Sequence, residues 1–212
     1  MRWFFVLFCL PACLPGHQDT RSYTFAFMSH DLDGGALPVP RNEVVSVEVT
    51  VRDTDNNFVL IDPLEISWSA GDKTTLDVNS FDGHAWIKGR QDWFDTIPDG
   101  GDVDAGHEPA TDLTVRYHGS SGSIQVNVII NAQGRWRLHV DNDASQDVSL
   151  SQSGRSVRYD LYGFSGEIND NIFTFSGMGY DLTGVFVSRD RIEGTYINHN
   201  KNTTGPWIGE RL

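Results

Sequence analysis

The stretch Val45-Ser46-Val47-Glu48-Val49-Thr50-Val51-Arg52 decides the fold class. Its valines fall on one face of an extended chain, and Ser46, Glu48, Thr50 and Arg52 fall on the other. That period of two marks a strand with one face on a core and one in water. Outward from it, the alternation returns at Leu113/Val115/Tyr117, Ile124/Val126/Val128/Ile130, Trp136/Leu138/Val140 and Val157/Tyr159/Leu161. Turn-forming residues punctuate the runs at Asp55-Asn56-Asn57, Ser120-Ser121-Gly122, Ala132-Gln133-Gly134, Asn142-Asp143, Ser153-Gly154 and Asn169-Asp170. Strands separated by such turns at intervals of roughly 8–12 residues predict an all-β sandwich or barrel. No long stretch has helical spacing.

The length of 212 residues fits one large all-β domain or two small ones. With 16 Lys+Arg against 29 Asp+Glu, the formal net charge is −13, which argues against nucleic acid and anionic bilayers as partners, because both reward a basic patch. The acids are 22 Asp to 7 Glu, and Asp favours turns over helices. The bases are equally skewed, 13 Arg to 3 Lys. A hydrophobic share of 39% is enough for a packed core and rules out wholesale disorder.

A second pattern sets in towards the C-terminus. Phe164-x-Gly166-x-Ile168, Leu182-x-Gly184-x-Phe186, Ile192-x-Gly194-x-Tyr196 and Trp207-x-Gly209 place glycine beside large residues on one strand face. Glycine inside a strand is otherwise unfavourable, so its repetition needs a reason. Missing side chains let a sheet bend sharply, as closing a small barrel demands. An ordinary antiparallel sheet with glycine bends would satisfy the same pattern. Between the two halves lies DWFDTIPDGGDVDAGHEPATD, Asp92–Asp112, with six Asp, one Glu and no strand pattern. It reads as a linker between β modules or as a functional excursion from one. The predicted architecture is therefore an antiparallel β-sandwich over 22–91, the acidic linker or loop over 92–112, and a curved antiparallel meander or small barrel over 113–212.

Three resemblances accompany this reading. The stretch VSVEVTVRDTDNNFVLIDPLEISWSAG, with the later turn Asp82-Gly83-His84-Ala85, resembles bacterial immunoglobulin-like modules. The C-terminal meander resembles calycin-like barrels of the lipocalin and avidin type. Glu193-Gly194-Thr195-Tyr196 is its best local match, and the opening G-x-W motif is absent. If the meander closes around a cavity, an apolar or small-molecule ligand is expected; if the barrel is filled, scaffolding is expected. The opening MRWFFVLFCLPAC carries one positive charge, a short apolar run and a cysteine, the layout of a secretory leader. Leu10-Pro11-Ala12-Cys13 resembles a bacterial lipobox, with Pro11 a departure from it. That resemblance implies cleavage after residue 12, lipidation of Cys13, a tether over 13–21, and an outer-membrane address because Leu14 follows the cysteine. Plain secretion is the alternative.

Candidate sites are few. Asp99, Asp102, Asp104 and Glu108 form the densest acidic cluster, and closely spaced carboxylates can supply several of the oxygens calcium needs. No cofactor is expected, with calcium the alternative. Asp53-x-Asp55-x-Asn57 begins like an EF-hand loop but lacks its glycine and its closing glutamate, so a hairpin turn is expected there. Trp86, Trp93 and Phe94, set among polar residues, suit stacking on a sugar or contact with a partner; core packing is the plainer alternative. The histidines form no pair at metal-ligand spacing. No G-x-S-x-G elbow, Walker loop or dinucleotide fingerprint occurs. The expected function is a non-catalytic exported cell-envelope lipoprotein with a binding or structural role. Its partners would be a membrane through the lipid anchor and a glycan, small apolar ligand or envelope protein, with no nucleic acid. Its rivals are a calcium-assisted adhesin or carbohydrate-binding module, and a hydrolase using paired carboxylates.

Overall fold

The computed structural model describes residues 22–29, 32, 35–97, 102, 106–140, 145–159 and 163–212. Cys13 and the leader lie outside them, as do Asp99 and Asp104. The fold is all-β, and among the described residues the one helical element is a 3₁₀ turn at Trp93–Asp95.

The first nine strands are β1 (Thr24–Met28), β2 (Ala36–Pro40), β3 (Val44–Arg52), β4 (Phe58–Val59), β5 (Ile66–Ala70), β6 (Leu76–Phe81), β7 (His84–Gly89), β8 (Ala110–Tyr117) and β9 (Ser120–Ile129). They build two sheets, one ordered β1-β3-β7-β6 with β4 beside β3, the other β2-β9-β8-β5. Leu37, Val47, Leu76, Ile87, Leu113 and Val126, drawn from both sheets, share one buried cluster, so the sheets form a sandwich. β2 runs parallel to β9 at the sheet edge. Pro38 and Pro40 fit that position, since a strand missing N–H donors is tolerated only where one side is unpaired.

The remaining strands are β10 (Gly134–Val140), β11 (Gln146–Ser153), β12 (Ser156–Tyr159), β13 (Phe164–Asn169), β14 (Ile172–Gly177), β15 (Tyr180–Ser188), β16 (Arg191–Asn198) and β17 (Thr203–Arg211). Each pairs antiparallel with the next, and β17 returns to β10, so the meander closes into an eight-stranded barrel. Closure resolves the two options that glycine spacing left open. Residues paired across the ladders share a face, which turns Gly166 inward with Phe175, and Gly184 and Gly194 inward with Trp207. The space left by Gly184 is filled by the Trp207 indole, whose Nε1 donates to the Thr183 carbonyl at 3.1 Å, while Gly194 lies against the Thr183 and Gly184 backbone.

Strand pairing differs from the expected division in one respect. β8 and β9 do not open the meander; they complete the sandwich by pairing with β5 and β2. A strand alternates in the same way on a sandwich face and on a barrel wall, so alternation at 113–130 carries no information about its partner. The crossing lies at Ile129–Ile130, where Ile130 already belongs to the barrel's buried cluster. Gln152 of β11 holds this crossing. Its Oε1 accepts from the Ala132 amide at 2.6 Å, and its Nε2 donates to the carbonyls of Ile130 and Gly154 at 3.1 and 2.9 Å. A buried amide with its polar atoms satisfied locates a backbone segment more tightly than apolar contact alone.

Candidate functional site

The two ends of the barrel differ in chemistry. One end carries the turns holding Arg155, Asp170 and Arg189, and the described flanks of the acidic segment, Trp93–Ile97 and Glu108, pack against it. Asp92 accepts from the Phe94 amide at 3.1 Å while Asp95 accepts from the Asp92 amide at 2.8 Å, a reciprocal capping box that starts the 3₁₀ turn. The turn drives Trp93 into the barrel's buried cluster and packs Phe94 and Ile97 against it. The same carboxylates face outward to guanidinium groups. Arg189 donates through Nε to Asp92 Oδ2 at 3.0 Å and through Nη2 to Oδ1 at 2.9 Å, and reaches Asp95 at 2.7 Å. Arg41, at the end of β2, lies 3.3 Å from Asp95. Burial works against the Asp95 charge, but the Asp92 amide, Arg189 and Arg41 outweigh it and hold this carboxyl below the usual aspartate range.

Glu108 makes the second closure. Both of its oxygens accept from Arg155, at 2.7 and 2.6 Å, and Oε1 also accepts from the Asp170 amide at 3.0 Å. Between the two closures the Thr96 hydroxyl donates to the His107 carbonyl at 2.7 Å. Arg211 adds a clamp from β17, donating to the carbonyls of Gln133 and Asn131 at 2.7 and 2.5 Å and lying over the Trp136 ring.

The opposite end holds a cavity among the described residues. Leu138, Val140, Val148, Tyr159, Phe164, Phe175, Tyr180 and Leu182, with Gln146 at the margin, line a cavity of about 210 Å³ there. These residues sit at the ends of β10, β12 and β14 and at the starts of β11, β13 and β15, all at one mouth. Deeper in the barrel, Trp136, Ile168, Phe173, Phe186, Ile192 and Trp207 fill the interior. The cavity is thus a blind cup with an aromatic and aliphatic wall. Phe164 and Phe175 stack at 5.4 Å on one side of it. A cavity this size is below the roughly 300–1,000 Å³ of drug-sized sites, and close to the roughly 150 Å³ that accepts one benzene-sized molecule.

The sequence candidates are scattered by the fold. Trp86 lies partly exposed on β7 of the sandwich, Trp93 is buried in the barrel cluster, and Phe94 lies under the Arg189 guanidinium, 5.7 Å from its ring centre. They do not converge on one face. Of the acidic cluster, Asp102 is exposed and Glu108 is engaged by Arg155 and the Asp170 amide. Among the described residues no group of three or more His, Cys, Asp or Glu could hold a metal ion. Asp53 caps its own hairpin, with Oδ1 accepting from the Asp55 and Asn57 amides at 2.9 Å. The residues missed by sequence reasoning are the arginines that answer the acidic segment. The bias of 13 Arg to 3 Lys was their available signal, since the planar guanidinium fork matches a carboxylate with two parallel bonds.

No family model matches the chain, and no curated protein matches it. Among solved structures it is similar to domains 5–6 of the S-layer protein SbsC, with 13% identity, a TM-score of 0.37, and coverage of 91% of this chain and 98% of that one. It is also similar to a fragment holding domains 1–6 of surface layer protein SbsC, with 11% identity and a TM-score of 0.39, over 88% of this chain and 25% of that one. A fragment holding domains 4–9 gives 12% identity and a TM-score of 0.35, over 89% of this chain and 31% of that one.

Proposed function

We propose that this chain is a non-catalytic, exported binding protein that takes one small apolar molecule into the mouth of its barrel. The cup of about 210 Å³ carries the proposal: its wall is apolar, and the described flanks of the acidic segment, Trp93 included, pack against the opposite end of the barrel. The ligand class is a single aromatic ring or a short alkyl chain, with Gln146, Tyr159 and Tyr180 the lining residues that carry a polar side-chain atom. In this reading the sandwich and its ion-paired closure are a stiff support for the barrel.

An NMR titration with benzyl alcohol and 1-hexanol tests the reading. Saturable shifts of the Phe175, Tyr180 and Leu182 resonances are expected, abolished in Val140→Trp, which fills the mouth from its rim. Non-saturating shifts, or equal saturation in the filled variant, would rule it out. Lipid attachment at Cys13 belongs to the same proposal and rests on the lipobox-like leader. The Cys13→Ser variant is expected to leave the membrane fraction and to lose the acyl mass; unchanged fractionation and mass would sink that part alone.

A further inference from the structure

At the end of the sandwich remote from the barrel, the surface is unusually apolar. Leu60 is 97% exposed, Leu64 93%, Phe81 75% and Phe58 69%. They belong to β4, the β4–β5 loop and the end of β6. Leu64, Ile66, Phe81 and Pro63 line a groove of about 370 Å³ whose charged members are Asp62 and Asp82, with no Lys or Arg. The groove is built on fixed turns. Asp62 Oδ1 accepts from the Leu64 amide at 2.9 Å, and the Trp68 indole of β5 donates to the Gly83 carbonyl at 3.2 Å. Asp82 and Gly83 both take left-handed backbone (φ 52° and 80°), the tight two-residue turn that sets Phe81 opposite His84. The backbone turns that carry Leu64 and Phe81 are already fixed, so association has little backbone freedom to remove there.

We propose that this tip docks a protein segment presenting apolar side chains flanked by lysine or arginine. Charge complementarity selects that occupant. An apolar anchor alone would fill the groove, but the acids at its margin favour a basic neighbour and repel an acidic one. A second copy would bring two acid-rimmed tips of a chain with net charge −13 together, and an anionic membrane would be repelled in the same way. Ser80 and Phe81 also lie on β6, the terminal strand of its sheet, where an extended segment can add by strand pairing.

The test uses fluorescence anisotropy with a short labelled peptide alternating lysine with leucine and phenylalanine, and its glutamate-for-lysine counterpart. The basic peptide is expected to bind saturably and the acidic one not at all. The double variant Leu64→Ser/Phe81→Ser is expected to weaken binding at least about tenfold, a change of about 1.4 kcal/mol. The variant Asp62→Asn/Asp82→Asn is expected to weaken it as well and to flatten its salt dependence. Val44→Ser, which removes an exposed apolar side chain on β3 away from the groove, should leave binding unchanged and so separates docking from attraction to the chain's overall charge. Equal binding of both peptides, or no loss in either double variant, would overturn the proposal. So would a concentration-dependent dimer in sedimentation that Leu64→Ser abolishes, which would assign the tip to a second copy.

Discussion

Replacing Glu108 with glutamine is expected to lower the free energy of unfolding by about 3 kcal/mol, because breaking a largely buried ion pair from one side leaves the other charge without its partner. The Glu108 side chain is 6% exposed and that of Arg155 is 20% exposed, so water replaces little of what is lost. The amide keeps the shape of the carboxylate but presents one acceptor oxygen where three donors now converge, two from Arg155 and one from the Asp170 backbone. At roughly 2–4 °C per kcal/mol for a chain of this size, Tm should fall by about 6–12 °C. Urea unfolding followed through the barrel tryptophans Trp136 and Trp207 measures it. The loss should be the same with calcium and with a chelator, since the partner is Arg155. A loss seen only in calcium would restore Glu108 as a metal ligand, and a loss under about 0.5 kcal/mol would contradict the closure described here. Arg155→Lys, which keeps the charge but not the two-pronged geometry, should fall between the two. Asp95 adds a pH dependence of definite sign. Its carboxyl titrates lower in the folded chain than the ordinary value of about 3.9, so its contribution is complete above that pH and disappears as acid carries the solution down through the folded value.

The second large effect is expected from Gly194→Ala. A methyl group built there would collide with the Thr183 carbonyl oxygen and lie 2.5 Å from the Gly184 Cα, both backbone atoms of the neighbouring strand. Backbone in a closed ring cannot step aside as a flexible side chain can, so the cost belongs at or above the upper end of the roughly 1–3 kcal/mol typical of overpacking. Gly166→Ala should behave alike, because its methyl group would meet the Thr174 carbonyl and sit 2.7 Å from the Phe175 Cα. Gly209→Ala supplies the contrast: its nearest neighbour, at 3.2 Å, is a ring atom of Trp207. Thermal melts of the three variants should rank Gly209→Ala as clearly the mildest. Equal losses in all three would mean that the inward glycines serve the barrel through backbone entropy and not through close approach.

Legibility in the sequence followed the physics of each feature. Alternation along β3, β8, β9 and β10 announced strands because side-chain direction in a strand is purely local. The inward glycines of β13, β15 and β16 announced a bend for the same reason, one strand at a time. Whether β9 would pair with β2 or with a barrel strand is a long-range matter, and nothing within Ser120–Ile129 states it. The short β2, carrying Pro38 and Pro40, escaped notice because its composition reads as a connection unless an edge position is already known. The acidic segment was recognised as exceptional, but its partners, Arg41, Arg155 and Arg189, are separated from it by up to 97 residues, as in the Arg189–Asp92 pair. Of the candidate carboxylates, Glu108 looked available for an ion although it faces Arg155, as Asp92 and Asp95 face Arg189. The hollow mouth was the least legible part. The residues lining it alternate like those that fill the interior, and only their height along the barrel sets them apart.

Ring closure between β10 and β17 has a consequence for the order of assembly. All strands of the sandwich precede β10, so that half can form as soon as β9 exists, while the barrel has two open edges until β17 has been added. During that interval Trp93, Asp92 and Glu108 stand ready on one half while Arg155 and Arg189 belong to a half that is still incomplete. In that order of assembly, the solvated carboxylates of Asp92 and Glu108 would keep the waiting surface from sticking elsewhere until the arginines arrive to pair with them. The same chemistry that fixes the finished molecule would, on this account, also protect it while unfinished.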